Sequence, residues 1–356
     1  MLAYFLLIGI PLVFSTVVIG NKQDKKGKAF VMASFFLVYF LLLALRADTV
    51  GVDLENYLPH FKEYYSKQWN SLFVDDETEA GYLFLNKFIG TIWADNQFFL
   101  TCIALICVFP LAILYCKESE KPLVSMATFL ILPVFTMLFS GLRQGIAIAM
   151  VAPAYYFTKK KKLMGFILTV LFAMLFHTSA FVVALLYPVY HANITKEKLF
   201  FVVPVILLVL VFNKQVFEFV LRLLGDEFYE EYYSIQETDA YTMLIMFVIF
   251  TVYAFITPQK DKLDKDTVGL RNILLLSLCL QTFAPINQIA MRMNYYFIVF
   301  LPLLIPKIGA RCHTKDKDLV KLLEFLLIVF FIVYFIWTGY TGADILQVFP
   351  YTPFWE

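Results

Sequence analysis

Residues 163–190 read LMGFILTVLFAMLFHTSAFVVALLYPVY. One imidazole, His177, stands in a segment that is otherwise apolar or weakly polar. The segment is either one long helix or two short helices meeting at His177-Thr178-Ser179. The choice sets the side on which every later loop falls. An ionisable residue at membrane depth is costly and is by default a functional candidate. The environment is set by composition: of 356 residues, 61% are hydrophobic and 16% charged. A soluble domain is nearer half apolar and a quarter charged. Apolar runs recur from end to end, each close to the ~20 residues that cross ~30 Å of hydrocarbon as a helix. The chain reads as a polytopic membrane protein. A net charge of +1 points to no nucleic-acid partner. The five cysteines show no zinc spacing, and most sit in apolar runs as small buried thiols.

The spans read as 2–20, 29–45, 97–115, 123–140, 144–158, 199–213, 241–257, 270–286, 293–306 and 319–338, plus the ambiguous 163–190. The first lacks a basic leader and a small-residue cleavage site, so it reads as an uncleaved span. The positive-inside rule arbitrates the ambiguity. With 21–28 inside and 163–190 as two helices, inside segments hold 20 Lys and Arg and outside segments 8. With a single crossing the split becomes 13 against 15. The two-helix reading wins. It places His177 at the outward apex of a hairpin, 163–176 and 178–190, whose arms rise only about 21 Å at 1.5 Å per residue. The expected fold is an all-α bundle of about 12 helices, 10 clear spans plus the hairpin, forming one integral-membrane domain over 1–356. An external loop, 46–96, carries an amphipathic helix within 75–93.

On this topology the unusual polar residues share the outer face. Loop 46–96 carries nine Asp and Glu against four Lys and Arg. Arg46, Asp53, Tyr57 and Glu79 lie in it, Arg143 and Gln144 begin one span, and Arg292 and Tyr295 lie at another. Arginine grips phosphate oxygens through a planar fork and stays charged, so guanidiniums at helix ends suit a diphosphate without a metal. A carboxylate or imidazole can take a proton from a sugar hydroxyl. Structural readings stand beside these. His177 would be a helix-end residue, Arg143 and Arg46 headgroup anchors, Asp53 a turn or cap residue, and Glu79 one acid of a solvated loop. No P-loop, zinc-helix or GxSxG element occurs.

Five stretches in order, RADTVGVDLENY (46–57), ETEAGYLFLNKFI (77–89), FSGLRQGIAIAM (139–150), LFAMLFHTSAFVVALLYP (171–188) and RMNYYF (292–297), with the FPYTPFW terminus, resemble the EpsG-like branch of bacterial Wzy-type polysaccharide polymerases. The resemblance implies a metal-independent, GT-C-type membrane glycosyltransferase needing no cofactor, related to the O-antigen ligases and polymerases. Such enzymes work in the bacterial plasma membrane with the active site facing outside. They join oligosaccharide repeats carried on undecaprenyl diphosphate into capsular, exopolysaccharide or O-antigen chains. The implied partners are the lipid-linked donor and acceptor and membrane lipid, with a chain-length regulator left open. Carried onto this sequence, Arg143 and Arg292 bind the diphosphate, and His177 matches the motif histidine. Arg46, Asp53, Tyr57 and Glu79 match the acidic loop, while Gln144 and Tyr295 lie in the arginine motifs as further substrate contacts. His177 or Asp53 is the base. An O-antigen-type ligase would use the same donor with another acceptor. A lipid-linked oligosaccharide flippase is the non-enzymatic rival, but the paired repeats common in transporters are not evident.

Overall fold

The computed structural model describes residues 2–19, 24–74, 78–225, 241–342 and 346–356. Asp75, Asp76 and Glu77 of the acidic loop, and residues 226–240 of the expected later loop, lie outside these. All regular structure among the described residues is helical, with two isolated β-bridges and no strand. The chain forms two compact units, Met1–Phe181 with Lys321–Glu356, and Val182–Val320.

The first unit holds α1 (Leu2–Ile19), α2 (Lys25–Ala44), α3 (Leu54–Ser66), α4 (Ala80–Ile92), α5 (Asn96–Glu118), α6 (Pro122–Leu130), α7 (Pro133–Ser140), α8 (Leu142–Ala149), α9 (Val151–Lys159) and α10 (Leu163–Met174). Asp24 caps α2 by accepting the Gly27 N–H at 2.7 Å, and Asp95 caps α5 through Phe98 at 2.8 Å. The core forms where α2 packs on α5. There Tyr39 stacks on Phe135 at 5.0 Å, and its hydroxyl donates to the Phe135 carbonyl at 2.6 Å. A buried phenol needs such an acceptor.

Prolines place two of the breaks. Leu132 precedes Pro133, and a residue before proline avoids the helical region. The expected span 123–140 is therefore two helices, α6 and α7, bent by 61°. Pro153 lacks an N–H, and its ring crowds the carbonyl four residues back. The expected span 144–158 accordingly divides at Met150 into α8 and α9. The 163–190 segment does break beside His177. Helix α10 stops at Met174, and a 3-10 helix, Thr178–Leu185, follows.

Between α2 and α5, residues 46–96 fold as two packed helices, α3 and α4. Phe61 of α3 stacks on Phe99 of α5 at 4.2 Å. The expected amphipathic helix is α4. Tyr82, Leu83, Asn86 and Ile89 are buried, whereas Phe84, Phe88, Ile92 and the following Trp93 are exposed in a row. The C-terminal segment runs antiparallel along the start of this region. Phe354 donates to the Leu45 carbonyl at 2.9 Å, Ala47 to Thr352 at 2.8 Å and Val52 to Leu346 at 2.9 Å.

The second unit holds α11 (Leu186–His191), α12 (Leu199–Val211), α13 (Asn213–Leu224), α14 (Tyr241–Ile256), α15 (Lys265–Gln281), α16 (Gln288–Ile298) and α17 (Leu301–Ala310). The expected loop after 213 begins as helix α13, turned 88° from α12. Lys214, Glu218 and Arg222 make that stretch amphipathic, so it leaves the line of the wholly apolar α12. The expected span 293–306 is the pair α16 and α17, bent by 45° ahead of Pro302. Asn294, 1% exposed, ties α16 to α15 by accepting from Ser277 Oγ at 2.5 Å and donating to Gln281 Oε1 at 2.9 Å. Helix α18 (Lys317–Thr341) follows; from Lys321 on it belongs to the first unit, where Glu324 accepts from Lys121 of the same unit at 2.6 Å through both oxygens.

Three stretches, Lys25–Ala44, Asn96–Glu118 and Thr314–Thr341, are each long and apolar enough to cross a membrane. Counting each bent pair as one span makes six among the described residues, with four shorter apolar helices beside them.

Candidate active site

Glu79 precedes the first turn of α4 at the position where a side chain usually caps its own helix, yet it makes no such bond. Its carboxylate points away to two other elements. Oε2 accepts from Arg143 Nη1 at 2.7 Å. Oε1 meets His177 Nδ1 at 3.1 Å and accepts the Thr178 backbone N–H, also at 3.1 Å. That N–H begins the 3-10 helix and has no carbonyl of its own turn to meet. Glu79 thus satisfies a helix start while holding a guanidinium and an imidazole. Its side chain is 12% exposed, against 34% for Arg143 and 29% for His177. Burial would push the carboxyl up, but the His177 bond and the Arg143 charge outweigh it and hold it down at about 2. Glu79 is ionised at neutral pH. The solvated-loop reading of this acid does not describe its surroundings.

A glycine makes the approach possible. The Gly81 N–H donates to the Leu175 carbonyl at 2.8 Å. A Cβ on Gly81 would lie 2.6 Å from that oxygen and 2.7 Å from the Leu175 Cβ. Helix α4 therefore docks against the break that follows α10, which brings Glu79 to His177 from 98 residues away.

The ring's tautomer follows from its partner. A carboxylate only accepts, so Nδ1 carries a proton, and in the neutral ring the lone pair sits on Nε2. Arg143 stands in the first turn of α8 and also donates to the Tyr57 hydroxyl. Burial pushes that hydroxyl above its ordinary value of 10.0, and Arg143 opposes the shift. The Tyr57 ring meets Tyr82 edge-on at 5.9 Å, closing the cluster on the α4 side. Asp53 lies just before α3. Ser140 Oγ donates to its Oδ2 at 2.7 Å and accepts its backbone N–H at 3.1 Å. Gly51 lets this loop sit close. Its φ is +112°, and a Cβ there would meet the Phe139 carbonyl at 2.3 Å.

Glu79, Arg143, His177 and Tyr57 therefore come together, with Asp53 held by Ser140, three residues ahead of Arg143 in the chain. Arg46 lies apart from them in the same unit. It is 1% exposed, donates to the Leu43 carbonyl at 3.0 Å, and stands 5.5 Å over the Phe139 ring. Gln144 is buried beside Arg143. Arg292 and Tyr295 lie one turn apart on α16 of the second unit, with Tyr295 buried. Sequence reading did not single out Ser140, Gly81 or the Thr178 N–H. Ser140 had a visible signal, a small hydroxyl directly before the Gly-Leu-Arg-Gln run.

In comparison with known proteins, the EpsG family model matches residues 29–353. No curated protein and no solved structure matches the chain.

Proposed function

This chain belongs to the EpsG family, and from that premise we propose that it polymerises oligosaccharide repeat units carried on undecaprenyl diphosphate at the outer face of the plasma membrane. Membership supports a polysaccharide polymerase-type glycosyltransferase in a membrane. The observation that carries the chemical reading is the single carboxylate, Glu79, gripping both a guanidinium and an imidazole.

In the proposed step, an acceptor sugar hydroxyl attacks the anomeric carbon of the donor. The new C–O bond forms as the glycosyl–phosphate bond breaks, its electron pair leaving with the diphosphate. His177 Nε2 takes the hydroxyl proton. Glu79 holds the ring in the required tautomer and stabilises the imidazolium that results, a positioning role. Arg143 has further N–H donors beyond those spent on Glu79 and Tyr57 and neutralises the leaving diphosphate. Tyr57 orients Arg143, and Asp53 and Gln144 bind sugar hydroxyls. Arg46, buried beneath the chain terminus, acts through its surroundings. The roles that the resemblance implies for Arg292 and Tyr295, diphosphate and sugar contact, rest on the RMNYYF motif alone. A single displacement inverts the anomeric centre. The exposed Phe84, Phe88, Ile92 and Trp93 row seats α4 at the membrane interface, where lipid-linked substrates arrive.

The test is conversion of purified lipid-linked repeats to a ladder by the full-length protein alone, with a chelator present. Losing one positioned charge partner of a transition state costs about 10²–10³ in rate. Arg143→Ala and His177→Ala should abolish the ladder at unchanged protein level. Near-normal chain length in either variant removes that residue from the site. In cells, a mutant accumulating single repeats on an unflipped lipid would instead indicate a flippase, and on surface lipid a polymerase.

A further inference from the structure

Helix α3 has a second working face. Tyr57 and Tyr64 point to the Glu79 side, Tyr57 to Arg143 and Tyr64 to Thr78 at 3.0 Å. Glu55, Leu58, Pro59 and Lys62 point the other way and line an open cleft of about 500 Å³ within the first unit. The 3.6-residue period separates these two sets around the helix. The cleft belongs to no group used in the proposed reaction.

Its chemistry is specific. Asp48, Thr49, Glu55, Lys62, Asn96 and Gln347 surround it with donors and acceptors of both kinds. Val52, Leu54, Leu58 and Pro59 give it an aliphatic floor. A lipid tail would strand those polar groups without water or a partner. A phosphate would face two carboxylates and one ammonium. A polyol suits both features, because hydroxyls satisfy the rim while the C–H faces of a sugar lie on the floor. Gln347 itself is held at φ +53°, a conformation rare for a residue with a side chain, by the C-terminal segment that pairs with residues 45–52.

Resting on the polymerase reading, we infer that this cleft binds an uncharged stretch of the saccharide chain, apart from the diphosphate-binding cluster. The two sites flank one helix, so they lie about 10–12 Å apart, too far for one sugar ring and within reach of an oligosaccharide. The run Gly51–Asp53 joins them around the start of α3. Gly51 and Val52 line the cleft, and Asp53 is bonded to Ser140 ahead of Arg143. A chain leaving the reaction centre can therefore pass round the end of α3 into the cleft. Holding it there keeps the chain on the enzyme between additions, which sets chain length without touching the bond-forming step.

The probe is the producing strain's own polysaccharide, cut to oligosaccharides and freed of lipid and phosphate. It is titrated into full-length protein in detergent, with Glu55→Gln plus Asn96→Ala as the test variant and Arg143→Ala as the control. Removing the Asn96 amide and turning the charged Glu55 acceptor into a neutral amide should weaken binding about tenfold or more. The same variant should join two repeats at the wild-type rate yet give a shorter ladder. Arg143→Ala should bind the oligosaccharide normally and join nothing. Thermal unfolding at the wild-type temperature excludes misfolding, and Lys62→Met serves as a second cleft variant if the double variant unfolds early. Wild-type binding and ladder length in the folded cleft variants overturn the inference while leaving the polymerase reading intact. Oligosaccharide binding lost in the cleft variants, with no linkage by the wild type, overturns the polymerase reading and leaves the saccharide cleft.

Discussion

Replacing Glu79 by Gln tests the centre of the site, because it removes one charge and almost no volume. The carboxyl has an ordinary value of 4.5 and is held at about 2 when folded. At 1.36 kcal/mol per tenfold change in proton affinity, that difference stabilises the fold by ~3 kcal/mol at neutral pH. Arg143 and His177 are 34% and 29% exposed, so solvent screens part of this and ~3 kcal/mol is an upper bound. The sign follows from proton counting. Between pH 4.5 and 2 the unfolded chain binds the proton first, so stability rises with pH through that window. The contribution is fully present above about pH 5, half lost near pH 3.2, and absent below 2. Thermal unfolding of both proteins in detergent across this range should show Glu79→Gln melting ~5–10 °C lower at pH 7, with the gap closing as the pH falls. Activity should fall further than stability explains. An amide can donate to Nδ1, which moves the ring proton to Nε2 and removes the base, and a wrong tautomer of this kind costs up to about 10⁴. A gap independent of pH, or a folded Glu79→Gln protein that polymerises normally, would refute the linkage between this carboxylate and the histidine.

Other perturbations reach the site through its supports. Gly81→Ala places a Cβ 2.6 Å from the Leu175 carbonyl, so α4 must move; about 1–3 kcal/mol of destabilisation and loss of the ladder are expected, read by melting and by the linkage assay. Gly51→Ala meets both a positive φ and the Phe139 carbonyl at 2.3 Å, and its cost should exceed the ~1–2 kcal/mol of the left-handed backbone alone. Ser140→Ala leaves the Asp53 carboxylate and N–H without their shared hydroxyl. A loss of about 1–3 kcal/mol with a raised acceptor KM is expected, and an unchanged KM would detach Asp53 from sugar binding.

The candidate site was legible in its residue types more than in its connections. Arg143 and His177 stood out because a charged or titratable group inside a long apolar run is rare on energetic grounds. Glu79 was a candidate only as part of the acidic loop, because an acid beside Asp75, Asp76 and Glu77 looks like solvated loop. Its partners lie 64 and 98 residues away, a distance over which no periodicity carries information. Arg46 shows the converse. A guanidinium following an apolar helix reads as a headgroup anchor, yet the C-terminal segment closes over it and leaves it 1% exposed.

By itself the amino-acid order determined that the chain is helical and apolar enough for a membrane, that 163–190 is interrupted beside His177, and which family the motifs match. These depend on local, additive quantities: hydropathy summed over a window, helical period, and the backbone limits of proline and glycine. The tertiary structure alone decided that α4 docks against the break after α10, that the C-terminal segment covers Arg46, and that a single carboxylate joins Arg143 to His177. Those outcomes depend on which surfaces meet, and a meeting such as Gly81 against Leu175 is settled by the packing of whole helices rather than by any neighbouring residue.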